Sequence, residues 1–160
     1  MPILKKNLLS IVKYGLLSLL VLIIIVFSVF AQKDIPRAVL IKKYATGHSK
    51  FIPIMGMQVH YRDEGNPLDS IPLVLIHGTS SSLHTWEKVT TILNDANHGN
   101  KRVISFDLPA FGLTGPNIEN SYSYDNYNQM IDSLLIKLKV NQCIIGGNSL
   151  GGGIAWHFTV

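Results

Sequence analysis

The sequence predicts an α/β fold, a mostly parallel sheet flanked by helices, carried behind a single transmembrane helix. Three observations predict it. An uncharged, bulky apolar run lies near the N-terminus. Short continuous apolar runs, the mark of strands buried on both faces, alternate with helical periodicity further along. A glycine-rich turn then joins the last strand to the last helix.

The leader comes first. Tyr14 to Ala31 carries no charge, and 13 of its 18 residues are Leu, Ile, Val or Phe. As a helix it spans roughly 27 Å, and its apolar residues contribute on the order of −4 to −8 kcal/mol to insertion. Residues 1–13 form a basic tail with Lys5, Lys6 and Lys13. The alternative is a cleaved signal peptide ending near Val29-Phe30-Ala31, but the run is longer than an h-region and stays bulky to its end. We read 14–31 as an anchor in the lipid bilayer. A short tail is easily retained in the cytoplasm, so the folded part is expected outside it.

Charge follows the same division. Of 14 Lys and Arg, 11 lie beyond residue 31, against 10 acids. The folded part is therefore near neutral, which argues against a nucleic-acid partner. A lone cysteine, Cys143, excludes a disulfide framework and a multi-cysteine zinc site. No metal or organic cofactor is implied.

Residues 32–49 read as a polar linker, and 50–160 as the start of a folded domain. Phe51–Ile54 and Met57–Tyr61 read as a hairpin, with Pro53 marking an edge strand. Residues 63–67 form a turn cluster. Leu73–Ile76 and Val103–Phe106 read as buried strands, with a helix over Trp86–Asn97 between them. Ser123 caps a helix whose apolar residues (Tyr127, Met130, Ile131, Leu134, Leu135, Leu138) share one face. Cys143–Ile145 is another buried strand, and Leu150–Val160 a helix with no stop signal. We expect the sequence to be cut short after this turn.

Gly147-Asn148-Ser149-Leu150-Gly151 is a G-x-S-x-G pattern between a strand and a helix. Such a turn strains the serine backbone, and side chains two residues to either side would collide. A phosphate loop is the rival reading of Gly146 to Gly151. Gly152 and Gly153 then stand where Lys and Ser/Thr are needed. A packing turn without chemistry is the other. His77-Gly78-Thr79 follows a buried strand and offers the Thr79 amide, with that of Leu150, to an oxyanion. His77 itself reads as structural.

Leu75–Thr79 with Trp86, Phe106–Thr114, and Gly147–Gly152 together resemble the α/β-hydrolase superfamily from about Phe51 to the end. They also resemble its bacterial members with an N-terminal membrane segment, which implies single-pass residence in an inner membrane. The resemblance implies Ser149 as nucleophile, Thr79 and Leu150 amides as oxyanion hole, and Gly78, Gly147 and Gly151 as the glycines of loop and elbow. Ala110 and Thr114 depart from the family's D-x-P-G-x-G-x-S loop. Haloalkane dehalogenases and epoxide hydrolases of this fold use Asp at the elbow, which Ser149 argues against. The expectation is a serine hydrolase of small carboxylic-ester-like substrates. The alternatives are carbon–carbon bond hydrolysis, or a non-catalytic protein of the same fold. Leu83, Trp86 and Phe111 are candidate acyl-pocket residues. The triad acid and histidine should follow Ser149. There the chain has no acid, and its one histidine, His157, lies too far along the helix. These 160 residues alone are expected to be inactive.

Overall fold

The computed structural model describes all residues except Met1, Ala96 and His98, and only the backbone of residues 2–6, 8 and 9. Two compact units emerge, Met1–Ile35 and Pro36–Val160.

The first unit is one helix, α1, over Pro2–Phe30. Its stretch Ser10–Phe30 has 21 residues at a mean hydropathy of 2.5, with none of the window buried. At 1.5 Å per residue that is about 31 Å, long and apolar enough to cross a hydrocarbon core. The helix starts well before Tyr14 because nothing between Ile3 and Lys13 breaks it.

The second unit opens with a helix inside the segment read as a linker: α2, Arg37–Tyr44. Pro36 precedes it with φ −55, and Lys42 and Lys43 complement the carbonyls of its last turn. A β-hairpin follows, β1 (Lys50–Ile54) and β2 (Met57–Glu64), in register Ile54↔Met57. Met55 (φ 47) and Gly56 (φ 74) both take positive φ, the geometry that suits a two-residue hairpin loop.

The remaining strands are β3 (Leu73–Ile76), β4 (Val103–Phe106) and β5 (Ile144–Gly147). The sheet order is β1-β2-β4-β3-β5. Strands β4, β3 and β5 run parallel, and the hairpin joins antiparallel through β2 and β4. Asp63 and Glu64 lie in β2 rather than in the expected turn. They pair with Ile104 and Val103, and Asp63 takes two 2.8 Å hydrogen bonds from Arg102. Strand β5 differs from expectation too. It lies on the sheet edge with Ile144 55% exposed, and Cys143 stands just outside it.

The helix expected over Trp86–Asn97 begins earlier and ends sooner. A 3-10 turn covers Leu83–Trp86, and α3 covers Glu87–Leu93. The start is drawn back because the Leu83 amide is tied to Asp107 Oδ1 at 2.7 Å. At the other end the Lys101 amide bonds the Leu93 carbonyl, turning the chain back toward β4. The expected tail of this helix includes Ala96, which is outside the described residues.

Helix α4, Tyr124–Lys137, starts at Ser123, whose Oγ accepts from the Asn126 amide at 3.3 Å. Its buried face is Tyr127, Met130, Ile131, Leu134 and Leu135. These pack in one core with Val59, Val74, Ile76, Ile104 and Phe106 of the strands and with Ile154 and Ala155 of α5, Leu150–Thr159. Fully burying one such side chain contributes about 1.5–3 kcal/mol, so this layer fixes how α5 meets the ends of β3 and β5.

Candidate active site

Between β5 and α5 the backbone reverses at Ser149, with φ 54 and ψ −118. A non-glycine residue held there stores on the order of 1–3 kcal/mol of strain. Neighbouring contacts impose it. The Asn148 amide bonds the Ile76 carbonyl at 3.1 Å, and the Gly151 amide bonds the Asn148 carbonyl at 2.9 Å. A Cβ at Gly147 would lie 2.3 Å from the Gly151 carbonyl carbon, and one at Gly151 would lie 2.3 Å from the Ile76 oxygen. Both clashes are with backbone, so the turn from β5 into α5 needs glycine at 147, and the close approach of α5 to β3 needs glycine at 151.

Across from the elbow runs His77-Gly78-Thr79, at the end of β3. A Cβ at Gly78 would stand 3.2 Å from Ser149 Cβ and 3.0 Å from the Asn148 carbonyl oxygen. The two loops therefore touch. Among the described residues, neither the Thr79 nor the Leu150 amide donates a hydrogen bond. Leu150 is the first residue of α5, where backbone N–H groups lack helical partners.

His77 is fully buried and both of its nitrogens are engaged. Nε2 accepts from the Leu108 amide at 3.0 Å, so the proton sits on Nδ1, which donates to the Gly78 carbonyl at 2.8 Å. Burial pushes the imidazole pKa below the usual histidine value. His77 thus ties the end of β3 to the loop after β4. His157 sits away from the elbow, stacked on Tyr124 at 5.1 Å, with Nδ1 accepting from Asn128 Nδ2 at 2.9 Å.

Behind the two loops lies a polar centre that sequence reasoning missed. Asp107 is fully buried, and its carboxylate accepts three bonds of 2.7 Å, from the Leu83 amide, the Leu113 amide and His60 Nδ1. The His60 amide in turn donates to Thr114 Oγ1 at 2.9 Å, and its ring stacks on Phe51. His60 and Asp107 are 47 residues apart, so no local pattern announces the pair. Thr114 supplies the hydroxyl that the family's serine would. Ala110, in place of glycine, adopts φ 65, a left-handed conformation that costs a side chain about 1–2 kcal/mol. Of the candidate pocket residues, Leu83 is buried under the loops and Phe111 meets the His77 ring edge-on at 5.6 Å. Trp86 ends the 3-10 turn just ahead of α3, with its Nε1 buried. Among the described residues no group of three or more His, Cys, Asp or Glu could hold a metal ion.

A strained strand-to-helix elbow set on a largely parallel sheet defines a class of protein. The sequence profile of the α/β-hydrolase fold family matches residues 71–160, and the chain belongs to that family. It is 36% identical over 97 residues to a haloalkane dehalogenase from Psychrobacter cryohalolentis, covering 60% of this chain and 31% of the relative. An epoxide hydrolase from Acinetobacter nosocomialis superposes with a TM-score of 0.61 at 26% identity, over 79% of this chain and 42% of that one. A carboxylesterase structure from the thaumarchaeon Nitrososphaera gargenis gives 0.60 at 26% identity, over 69% and 39%. The chain spans about a third of the length of the curated relatives it matches.

Proposed function

We propose that this chain is the nucleophile-bearing part of a membrane-anchored serine hydrolase of carboxylic esters. The observation that carries the reading is Ser149 at φ 54 with the uncommitted amides of Thr79 and Leu150 beside it. In this reading Ser149 Oγ attacks the ester carbonyl carbon, and the two amides donate to the oxyanion that forms. Each such donor contributes about 2.7–4 kcal/mol to the transition state. The alcohol leaves with a proton from the general base, and water then hydrolyses the acyl-serine. Serine at the elbow favours this acyl transfer over the alkyl-transfer chemistry of aspartate-bearing members of the fold.

In this reading neither His77 nor His157 serves as the base for Ser149, and Asp107 is not its orienting acid. His77 has no free lone pair, His157 is turned to Asn128, and Asp107 is engaged by three donors. A serine without a base is a weak nucleophile. The 160-residue chain is therefore expected to turn over no ester. Residues 14–31 anchor it in the bilayer in a single pass, with the folded unit outside the cytoplasm.

The test begins with the coding sequence beyond Val160. An in-frame acid followed by a histidine supports the reading, and a stop codon there refutes it. In the longer protein, p-nitrophenyl butyrate turnover should fall at least a thousandfold in Ser149→Ala. Undiminished turnover in that variant refutes Ser149 as nucleophile.

A further inference from the structure

We propose that α2 is a strap, latched by Arg37, that opens as a unit beside the Asp107 centre and takes one wall of a cavity with it while the rest of that cavity stays in place. Every residue involved lies in the unit Pro36–Val160, so the proposal stands apart from the anchor and from the chemistry assigned to Ser149. An isolated helix is marginal in water below about 12–15 residues. With eight residues, α2 is kept closed by its contacts with the rest of the unit.

Those contacts are few. No residue of α2 is fully buried, and only Leu40 and Ile41 are half-buried. Its N-cap, Pro36, offers no side-chain hydrogen bond. Among the described residues, the hydrogen bonds from Arg37–Tyr44 to distant parts of the fold are two, both from the Arg37 guanidinium to the Leu113 carbonyl, at 2.8 and 3.2 Å. The same guanidinium lies 5.6 Å over the Phe51 ring, and at the other end of the helix the Tyr44 ring stands 6.0 Å from that of His84.

Beside the helix there is space where packing would otherwise be. A cavity of about 360 Å³ is lined by Leu40 and Tyr44 of α2 together with Ser82, His84, Asp107 and Leu113. Side chains that face a void forgo the dispersion contacts that close packing supplies, so these two residues hold α2 weakly. The far side of the cavity is the opposite case. Asp107 accepts three bonds of 2.7 Å, and Leu113 is held twice, its amide on Asp107 Oδ2 and its carbonyl by Arg37. Releasing the latch removes the second hold on Leu113 and leaves the first. The helix can therefore swing away with the polar centre intact.

The experiment is amide hydrogen exchange of the full chain in non-ionic detergent, with and without low concentrations of urea. In the wild type the α2 amides should share one protection factor, about a hundredfold or more below that of β3 and of the Leu113 amide. It should change little with urea, the mark of a local opening that exposes little surface. Arg37→Met keeps an unbranched stem over Phe51 and removes the donors, so α2 exchange should rise about tenfold or more, the worth of a hydrogen bond from a charged group. Arg37→Lys keeps the charge without the planar fork, and its α2 rate should fall between the two. Exchange of α2 at the β3 level, with the β3 dependence on urea, overturns the strap, because the helix then opens only with the whole unit. Leu113 exchanging in step with α2 overturns the claim that the polar centre stays in place. An α2 rate untouched by Arg37→Met overturns the latch, and α2 amides without protection in the wild type overturn a closed strap.

Discussion

Replacing Asp107 by alanine tests whether the buried carboxylate holds together the segments that carry Leu83, Leu113 and His60. The change leaves three donors without an acceptor: the Leu83 amide, the Leu113 amide and His60 Nδ1, each now 2.7 Å from a carboxylate oxygen. An orphaned buried donor costs about 1–3 kcal/mol, so the sum is roughly 3–9 kcal/mol. Water entering the vacated space recovers part of this, and about 4 kcal/mol is the expected loss. Set against a typical domain stability of about 5–15 kcal/mol, that is severe. At roughly 4 °C per kcal/mol for a unit of this size, Tm should fall by about 15 °C. Asp107→Asn can place its oxygen at the Oδ2 position, which accepts from the Leu113 amide and His60 Nδ1, and turn its NH2 only toward the Leu83 amide, so it should recover about two thirds of the loss. The assay is thermal unfolding of the full chain in non-ionic detergent, followed by near-ultraviolet circular dichroism. A loss below about 1 kcal/mol in the alanine variant would falsify the reasoning, because it would mean the three donors find water at no penalty.

Two further outcomes follow from the contacts around the elbow and His77. Gly151→Ala places a Cβ 2.3 Å from the Ile76 oxygen and 2.6 Å from that of His77, whereas Gly146→Ala meets nothing within 4 Å. The first should destabilise by about 3 kcal/mol and the second by under about 0.5 kcal/mol in urea melts; equal effects would contradict the close approach of α5 to β3. His77 supplies a pH dependence. Its pKa is depressed in the fold by burial, so below about pH 6.5 the unfolded chain takes up a proton that the folded chain refuses. The stability present above that pH is therefore lost as pH falls toward the folded pKa, and Tm should drop more steeply between pH 7 and 5 than in His77→Gln; parallel profiles would remove His77 as the cause.

Local chemistry explains which parts of this protein were legible in its sequence. Strands β3 and β4 read directly as runs of branched and aromatic residues. The buried face of α4 follows from apolar residues three and four apart, and its start from Ser123. The elbow is legible in part because Gly147 answers a short-range steric demand from the Gly151 backbone, whereas the demand on Gly151 comes from the distant Ile76 and His77 carbonyls. The leader is legible for a similar reason, since length and hydropathy are summed along the chain without reference to any partner.

Long-range pairing decided the rest. That Asp63 and Glu64 continue β2 depends on β4, which supplies their ladder partners and the Arg102 guanidinium. Helix α2 sits in a stretch with weak helical patterning and is secured by Arg37 on the Leu113 carbonyl, 76 residues away. The early start of the helical turn at Leu83 depends on Asp107, 24 residues on. His60 carries no local signature, and its role exists only because antiparallel pairing of β2 with β4 brings it to that carboxylate. The sequence by itself determined the apolar leader, strands β3 and β4, helix α4 and the local turn at Gly147, because each is set by neighbours within a few residues. The strand order, the edge position of β5, the neutral tautomer of His77 and the contact of Gly78 with Ser149 were decided by tertiary structure alone. Those depend on hydrogen bonds and close approaches between segments that only the folded sheet brings together.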